Sequence, residues 1–156
     1  MTFKPPLPLV IRPGRIEDHG TIVQYNLALA WETEQKQLDQ HVVAAGVLQV
    51  LLGLAEAEYW VAEVDGNVVG QMMLTREWSD WRRGWIYWIQ SVYVAEGWRQ
   101  QGVFSTLFHT VEDTLIKRAD TVGCRLYVEQ HNMRAQAIYR HLGFQQSGYI
   151  VMERIL

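Results

Sequence analysis

Between residues 17 and 30 the side chains of Ile22, Val23, Asn26, Leu27 and Ala30 share one face at helical spacing, and Asp18 stands near the start of that predicted helix. WETEQKQLD (31–39) interrupts the pattern as a loop. A second helix follows, with Val43, Val47, Val50, Leu51 and Leu54 on its inner side. Ahead of both, LVIRP (9–13) reads as a short strand. The period then changes to two. YWVAEV (59–64), the turn DGN and VVGQMMLT (68–75) make a hairpin, because Asp-Gly suits the positive dihedrals of tight reversals. REWSDWRRG (76–84) reads as a loop that leads into WIYWIQSVYV (85–94), a run long and apolar enough for a central strand.

A third helix begins near Gln101 and buries Phe104, Leu107, Phe108, Val111 and Leu115. CRLYVEQ (124–130) is the next strand. A helix from about Asn132 then carries Ala135, Ile138, Tyr139 and Leu142 on one face and closes at Gly143, a left-handed cap. FQQSGYIVMERI (144–155) ends the pattern as one strand or a bent hairpin. The order predicts an α/β fold with a mixed sheet and helices on both faces. The meander is antiparallel, while the strands on either side of the third helix are parallel through a right-handed crossover. A ligand is expected at the carboxyl end of the central strand.

Composition narrows the classes. A length of 156 residues suits one domain, 1–156, and 49% apolar with 20% charged residues is an ordinary globular balance. No apolar run nears the ~18 residues of a membrane span. MTFKPPLPLV lacks the apolar core of an export signal, and the lone Cys124 has no internal disulfide partner, so a cytoplasmic protein is expected. The net charge of −3 offers no basic tract, and Arg82 with Arg83 is a poor footprint for nucleic acid. No histidine pair has metal-ligand spacing, so no metal is expected.

The chemistry starts at GWRQQGVFSTLF (97–108), where Gly102 opens an otherwise good helix pattern straight after the central strand. Glycine weakens helix interiors, so one at a helix entrance marks a backbone that bends tightly or is approached closely. Arg99, Gln100, Gln101, Gly102, Val103 and Phe104 lie where strand becomes helix. Unpaired N–H groups there point outward together, and the helix dipole adds partial positive charge. Such a turn can hold a pyrophosphate, a plain strand-to-helix turn being the other reading. It lacks the Gly-Lys-Ser/Thr of a P-loop and the further glycines of a dinucleotide fingerprint.

Taken with LYVEQHNMRAQAIYRHLGF (126–144), this turn resembles the GNAT superfamily of N-acetyltransferases. The family's Arg/Gln-x-x-Gly-x-Gly/Ala is matched by Arg99, Gly102 and, imperfectly, Phe104. Its second signature is matched in order and spacing by Asn132, Ala135, Tyr139, Leu142, Gly143 and Phe144. The resemblance runs from VIRPGRIEDH to YIVMER. It implies acetyl-CoA as donor, with the pyrophosphate on the turn from Gln101 to Phe104. It also implies a splayed parallel strand pair whose gap takes the pantetheine arm, against Ser91, Val92, Tyr93 and Val94. Asn132, with Ala135 behind it in the motif, would meet that arm, and Tyr139 would sit near its sulfur. The acceptor implied is a small amine or a peptide amine, and dimers are common in the family. At Phe104 the family usually has Gly or Ala; the backbone N–H still serves, and the spacing turns the ring into the core.

Acetyl transfer needs a neutral amine, a stabilised oxyanion and a proton for the departing thiolate. Deprotonating an alkyl amine of pKa ~10 at pH 7 costs about 4 kcal/mol, which positioning and a base can offset. The oxyanion donor is a backbone N–H at Val92 or Tyr93. Tyr139, a phenol protonated at neutral pH, is the general acid, with core packing as its other reading. WIYWIQSVYV holds no carboxylate, only Gln90, so the base comes from elsewhere. Candidates are Glu32 and Glu34 between the first helices, and Glu77 and Asp80 before the central strand. Glu34 and Asp80 are taken forward, although each of the four also fits a solvated surface carboxylate. Trp85 and Trp88 read as strand packing. Trp31, Trp78 and Trp81 would wall an anionic acceptor pocket where WETE and EWSDW meet, selecting a cationic amine. A non-catalytic acyl-CoA-binding sensor of the same fold is the alternative.

Overall fold

In the computed structural model residues 8–156 are described, and the proline-rich start, 1–7, lies outside them. The strands are β1 (Val10–Pro13), β2 (Glu58–Val64), β3 (Asn67–Ser79), β4 (Gly84–Val94) and β5 (Thr121–Leu126). The helices are α1 (His19–Glu34), α2 (Gln40–Leu51), α3 (Val103–Ile116) and α4 (Met133–His141). Sheet order follows chain order from β1 to β5. The pairings are antiparallel up to β4, and β4–β5 is parallel, as the α3 crossover requires.

Alternation along β2 sends neighbours to opposite faces. Tyr59 and Val61 meet Ile22 and Val23 of α1 and Val47 of α2. Trp60 faces the other way, where Leu107, Phe108, Val111 and Leu115 of α3 close over Met72, Leu74 and Ile89. Each such fully buried Ile, Leu or Phe contributes about 1.5–3 kcal/mol. The predicted β2–β3 reversal forms with Asp65 at φ 49° and Gly66 at φ 79°, both left-handed as a two-residue hairpin requires. Asp18 does not cap α1. It is buried, and its carboxylate accepts two bonds from the Arg12 guanidinium (2.7 and 2.9 Å) and one from the Arg15 amide (2.7 Å), clamping β1 to the start of α1. Arg12 also reaches Glu63 on β2 at 2.7 Å. Among the described residues no helix is long and apolar enough to cross a membrane.

Four elements differ from the sequence reading. Helix α1 continues through WETE to Glu34 and stops where Gln35 turns left-handed, at φ 50°. Strand β3 continues through Arg76, Glu77, Trp78 and Ser79, so that most of REWSDWRRG is strand and the reversal narrows to 80–83. Cross-strand contacts explain this extension. Arg76 lies over the Trp85 ring at 4.0 Å, and Trp78 meets it edge-on at 5.0 Å. Strand β5 starts earlier than CRLYVEQ, where Thr121 pairs with Trp85, and ends earlier, where its ladder with β4 closes at Ile89 opposite Leu126. The last segment, 145–156, forms neither a strand nor a hairpin.

Candidate active site

The parallel ladder ends with Ile89 opposite Leu126. Just beyond, β4 carries an extra residue. Gln71 pairs with Tyr93 and Met73 with Gln90, leaving Ser91 and Val92 on β4 against Met72 alone on β3. The bulge puts Ser91 at φ 51°, unusual for a residue with a side chain. Gln71 secures it. This fully buried amide donates to the Ser91 carbonyl (3.1 Å) and to Asn26 Oδ1 (2.8 Å). Asn26 in turn donates to the Tyr59 hydroxyl (3.0 Å). One polar chain therefore joins α1 and three strands beneath the bulge. Breaking it would strand buried groups at about 1–3 kcal/mol each.

A cleft of about 990 Å³ opens along this stretch of β4, from Ile89 to Val94. That volume is at the upper end of the ~300–1,000 Å³ of small-molecule sites. The turn lies beside it. Gln100 (φ 60°) and Gly102 (φ 78°) are both left-handed, and the next residue, Val103, is buried among Ala62, Val64 and Val69, which fixes where α3 starts. No side chain caps α3, so its first amides have no helical partner, and Gly102, Val103, Phe104 and Ser105 all line the cleft. A Cβ built on Gly102 would meet no heavy atom within 4 Å. An open cradle at a positive helix end, with Arg134 lining the same cleft, fits a pyrophosphate. Arg99 is held beside the same turn. Its Nε donates to the Val94 carbonyl (2.8 Å), and its Nη2 reaches Glu32 (2.7 Å). Gln101 Nε2 donates to the Gly97 carbonyl (2.9 Å), and Gln100 lines the cleft.

Helix α4 supplies the facing wall. Asn132 caps it, with Oδ1 accepting from the Ala135 amide (3.1 Å), and both residues line the cleft. One turn on, Tyr139 lies edge-on to Phe104 (5.7 Å) and Phe144 (6.0 Å). Phe104 does turn inward, packing against Phe108, and its ring thereby positions Tyr139. Burial raises the Tyr139 pKa above its ordinary value of about 10, so the phenol stays protonated at neutral pH. Its hydroxyl has no hydrogen-bond partner among the described residues, and Tyr139 lines the cleft.

The α1–α2 side of the cleft brings Glu32 and Glu34 together with Asn26, Leu29, Leu38 and Val43. Glu32 accepts from Tyr93 (3.1 Å) as well as Arg99, and Glu34 meets Lys36 at 3.2 Å. Burial first, and then the bond to Glu32, raises the Tyr93 phenol pKa. The other expected acceptor residues lie elsewhere. Trp31 is exposed on the last turn of α1, and neither it nor Glu77, Trp78, Asp80 or Trp81 lines the cleft. Glu77 on β3 accepts from Trp88 on β4 (3.3 Å) and from Arg125 on β5 (3.1 Å), while Trp81 stands 89% exposed at the tip of the β3–β4 hairpin. WETE and EWSDW therefore form no common pocket. Sequence reasoning missed Gln71, Arg134 and the polar role of Asn26. A polar residue on the buried face of an amphipathic helix was the available signal for the last. Among the described residues no His, Cys, Asp and Glu gather as a metal site.

Residues 24–144 match the family described as the acetyltransferase (GNAT) family. A possible acetyltransferase from Clostridium difficile 630 is similar at 42% identity and a TM-score of 0.87, over 95% of this chain and 97% of that one. A transcriptional regulator from Bacillus halodurans C-125 is similar at 20% identity and a TM-score of 0.79, over 94% and 99% of the two chains. A ribosomal-protein-alanine N-acetyltransferase from Brucella melitensis biovar Abortus 2308 follows at 18% identity and 0.75, over 94% and 99%. At those lower identities the likeness is one of fold. No curated protein matches the sequence.

Proposed function

The chain belongs to the acetyltransferase (GNAT) family, and we propose that it is an acetyl-CoA-dependent N-acetyltransferase acting on a small, positively charged primary amine, through one domain over 1–156. The observation that carries this reading is the single cleft in which the Gly102 turn, the bulged strand β4 and Tyr139 meet. The donor, when bound, supplies an acetyl group activated as a thioester. Its pyrophosphate suits the amides at the start of α3, with Arg99 and Arg134 nearby, and its arm suits the stretch of β4 that β5 has left.

The chain's own groups then have distinct tasks. Glu34, the carboxylate on the α1–α2 side of the cleft that Arg99 does not hold, attracts the cationic amine and takes its proton directly or through water. The freed nitrogen attacks the carbonyl carbon, and the Val92 or Tyr93 amide donates to the oxygen as negative charge gathers there. As the carbon–sulfur bond breaks, the Tyr139 hydroxyl gives its proton to the thiolate, and the second proton that the nitrogen loses on becoming an amide returns to the Tyr139 oxygen, directly or through water. Glu32 neutralises Arg99 and shapes the acceptor side. Asp80, outside the cleft lining, has no part in this scheme.

Incubating the protein with acetyl-CoA and a panel of amines, with thiol release and product mass as readouts, tests the proposal. Cationic amines should gain one acetyl group. Tight donor binding without turnover on any amine would instead support a sensor, a reading that the absence of a carboxylate from β4 favours.

A further inference from the structure

Given the acetyl-transfer reading, on which this rests, we propose that the acceptor is an amphipathic amine, one ammonium on an apolar body. The α1–α2 side of the cleft then selects the body as well as the charge. Helix α1 sets this wall by its period. Asn26, Leu29, Ala30 and Thr33 stand at i, i+3, i+4 and i+7 and all line the cleft, so one stripe of the helix faces it. Leu29 and Ala30 are apolar and half-buried, the loop after α1 adds Leu38, and α2 adds Val43. Val43 also packs against the core of Ile22, Val23 and Val47, which fixes it in place. Leu38 is 39% exposed. A lone exposed leucine is ordinary, but one that joins three apolar neighbours in a cleft wall gives a ligand a surface to cover.

The polar groups of the same wall are already occupied. Asn26 Oδ1 accepts from Gln71 (2.8 Å), and its Nδ2 donates to the Tyr59 hydroxyl (3.0 Å). The Thr33 hydroxyl donates to the Leu29 carbonyl at 2.7 Å. Glu32 holds Arg99 and Tyr93. Glu34 remains, since its partner Lys36 is 65% exposed and readily displaced. Glu129, a further carboxylate of the cleft, lies on the α4 side and accepts from the His131 amide (2.7 Å).

The wall therefore offers one charge and an apolar face. A second ammonium or a hydroxyl on the acceptor would be pressed against it without a partner, which costs roughly fivefold or more in affinity for each stranded group. An apolar body instead gains up to about fourfold for each methylene it buries. Both effects act in one direction, against polyamines and amino sugars and in favour of alkyl amines.

The full-length protein is assayed with acetyl-CoA and propylamine, butylamine, pentylamine and hexylamine, beside putrescine and glucosamine. Calorimetry measures binding of the same amines. The value of kcat/KM should rise about two- to fourfold per added carbon, mainly through KM, and hexylamine should exceed both polar amines. Leu38→Gln should flatten this dependence and Leu38→Met should keep it, with thermal melts checking that both variants fold. Equal efficiency along the series, a preference for putrescine or glucosamine, or an unchanged dependence in Leu38→Gln would overturn the apolar wall and leave acetyl transfer standing. Binding that strengthens with chain length but brings no turnover would keep the wall and remove the reaction. Neither binding nor turnover of any amine would remove both.

Discussion

A side chain at position 102 meets a backbone cost and, once a phosphate arrives, a charge cost. Gly102 sits at φ 78°, where an L-residue is disfavoured by roughly 1–2 kcal/mol. A Cβ there touches no heavy atom within 4 Å, so no steric term is added. Gly102→Ala should therefore lower stability by about 1–2 kcal/mol and no more. Gly102→Glu carries the same backbone term, but its carboxylate beside the start of α3 recovers about 0.3–1 kcal/mol, so the fold survives. With the donor present the balance changes. A unit charge ~4 Å from one phosphate charge, at an effective dielectric of ~20, is repelled by about 4 kcal/mol. That corresponds to roughly a thousandfold loss of affinity. Gly102→Gln, similar in size but neutral, separates charge from bulk and should lose far less. Calorimetric titration with acetyl-CoA reads the affinities, and thermal melts check folding. Wild-type affinity in Gly102→Glu would place the phosphates elsewhere, and an equal loss in Gly102→Gln would show that bulk, not charge, is responsible.

Tyr139→Phe should leave stability and donor affinity intact, since the hydroxyl has no protein partner, while lowering kcat by roughly 10- to 1,000-fold; an undiminished rate would reduce Tyr139 to packing. Glu34→Gln should raise KM for a cationic amine and spare donor binding, whereas Asp80→Asn should change neither, a contrast that steady-state kinetics on both variants reads directly. Asp18→Asn should cost about 2–4 kcal/mol by loosening a buried pair with Arg12. Burial alone would raise the Asp18 pKa, but the bonds from Arg12 and the Arg15 amide bring it below the ordinary value. Its contribution is therefore present above the unfolded pKa of ~3.9 and lost as pH falls through the lower folded value. Denaturant melts should show wild type and variant converging below about pH 4, and a constant gap would remove the carboxylate from the explanation.

The turn and the strand order were legible because they rest on local rules. Asp65-Gly66 needs left-handed dihedrals, Gly102 interrupts a helix pattern, and a period-two run followed by a helix dictates a parallel crossover. The bulge was not legible. Ser91 is an ordinary strand residue by propensity, and only Gln71, twenty positions earlier in the chain, makes its left-handed conformation tolerable. Cross-strand contacts within the hairpin hid the extension of β3 in the same way, since REWSDWRRG has loop composition until Trp78 and Arg76 find Trp85. The tail was misread for the opposite reason. Its strand propensity is real, but propensity names no partner, and within one chain it has found none.

The acceptor side shows how such a boundary error reaches function. Read as a loop, WETE offered two carboxylates free to swing toward EWSDW. As the last turn of α1 it offers them at fixed positions, and the first is already committed. Glu32 holds Arg99 at 2.7 Å and Tyr93 at 3.1 Å, so its charge is largely balanced before any amine arrives. Glu34 has only Lys36, at 3.2 Å and with both side chains more than half exposed, a pairing of the kind worth about 0–1 kcal/mol. On the proposed reading, an incoming ammonium can therefore displace Lys36 at little cost but cannot easily displace Arg99. On the same reading, selectivity for cations on the α1–α2 side of the cleft accordingly rests on Glu34, and Tyr93 on β4 supplies an aromatic face there in place of the tryptophans of the distant hairpin.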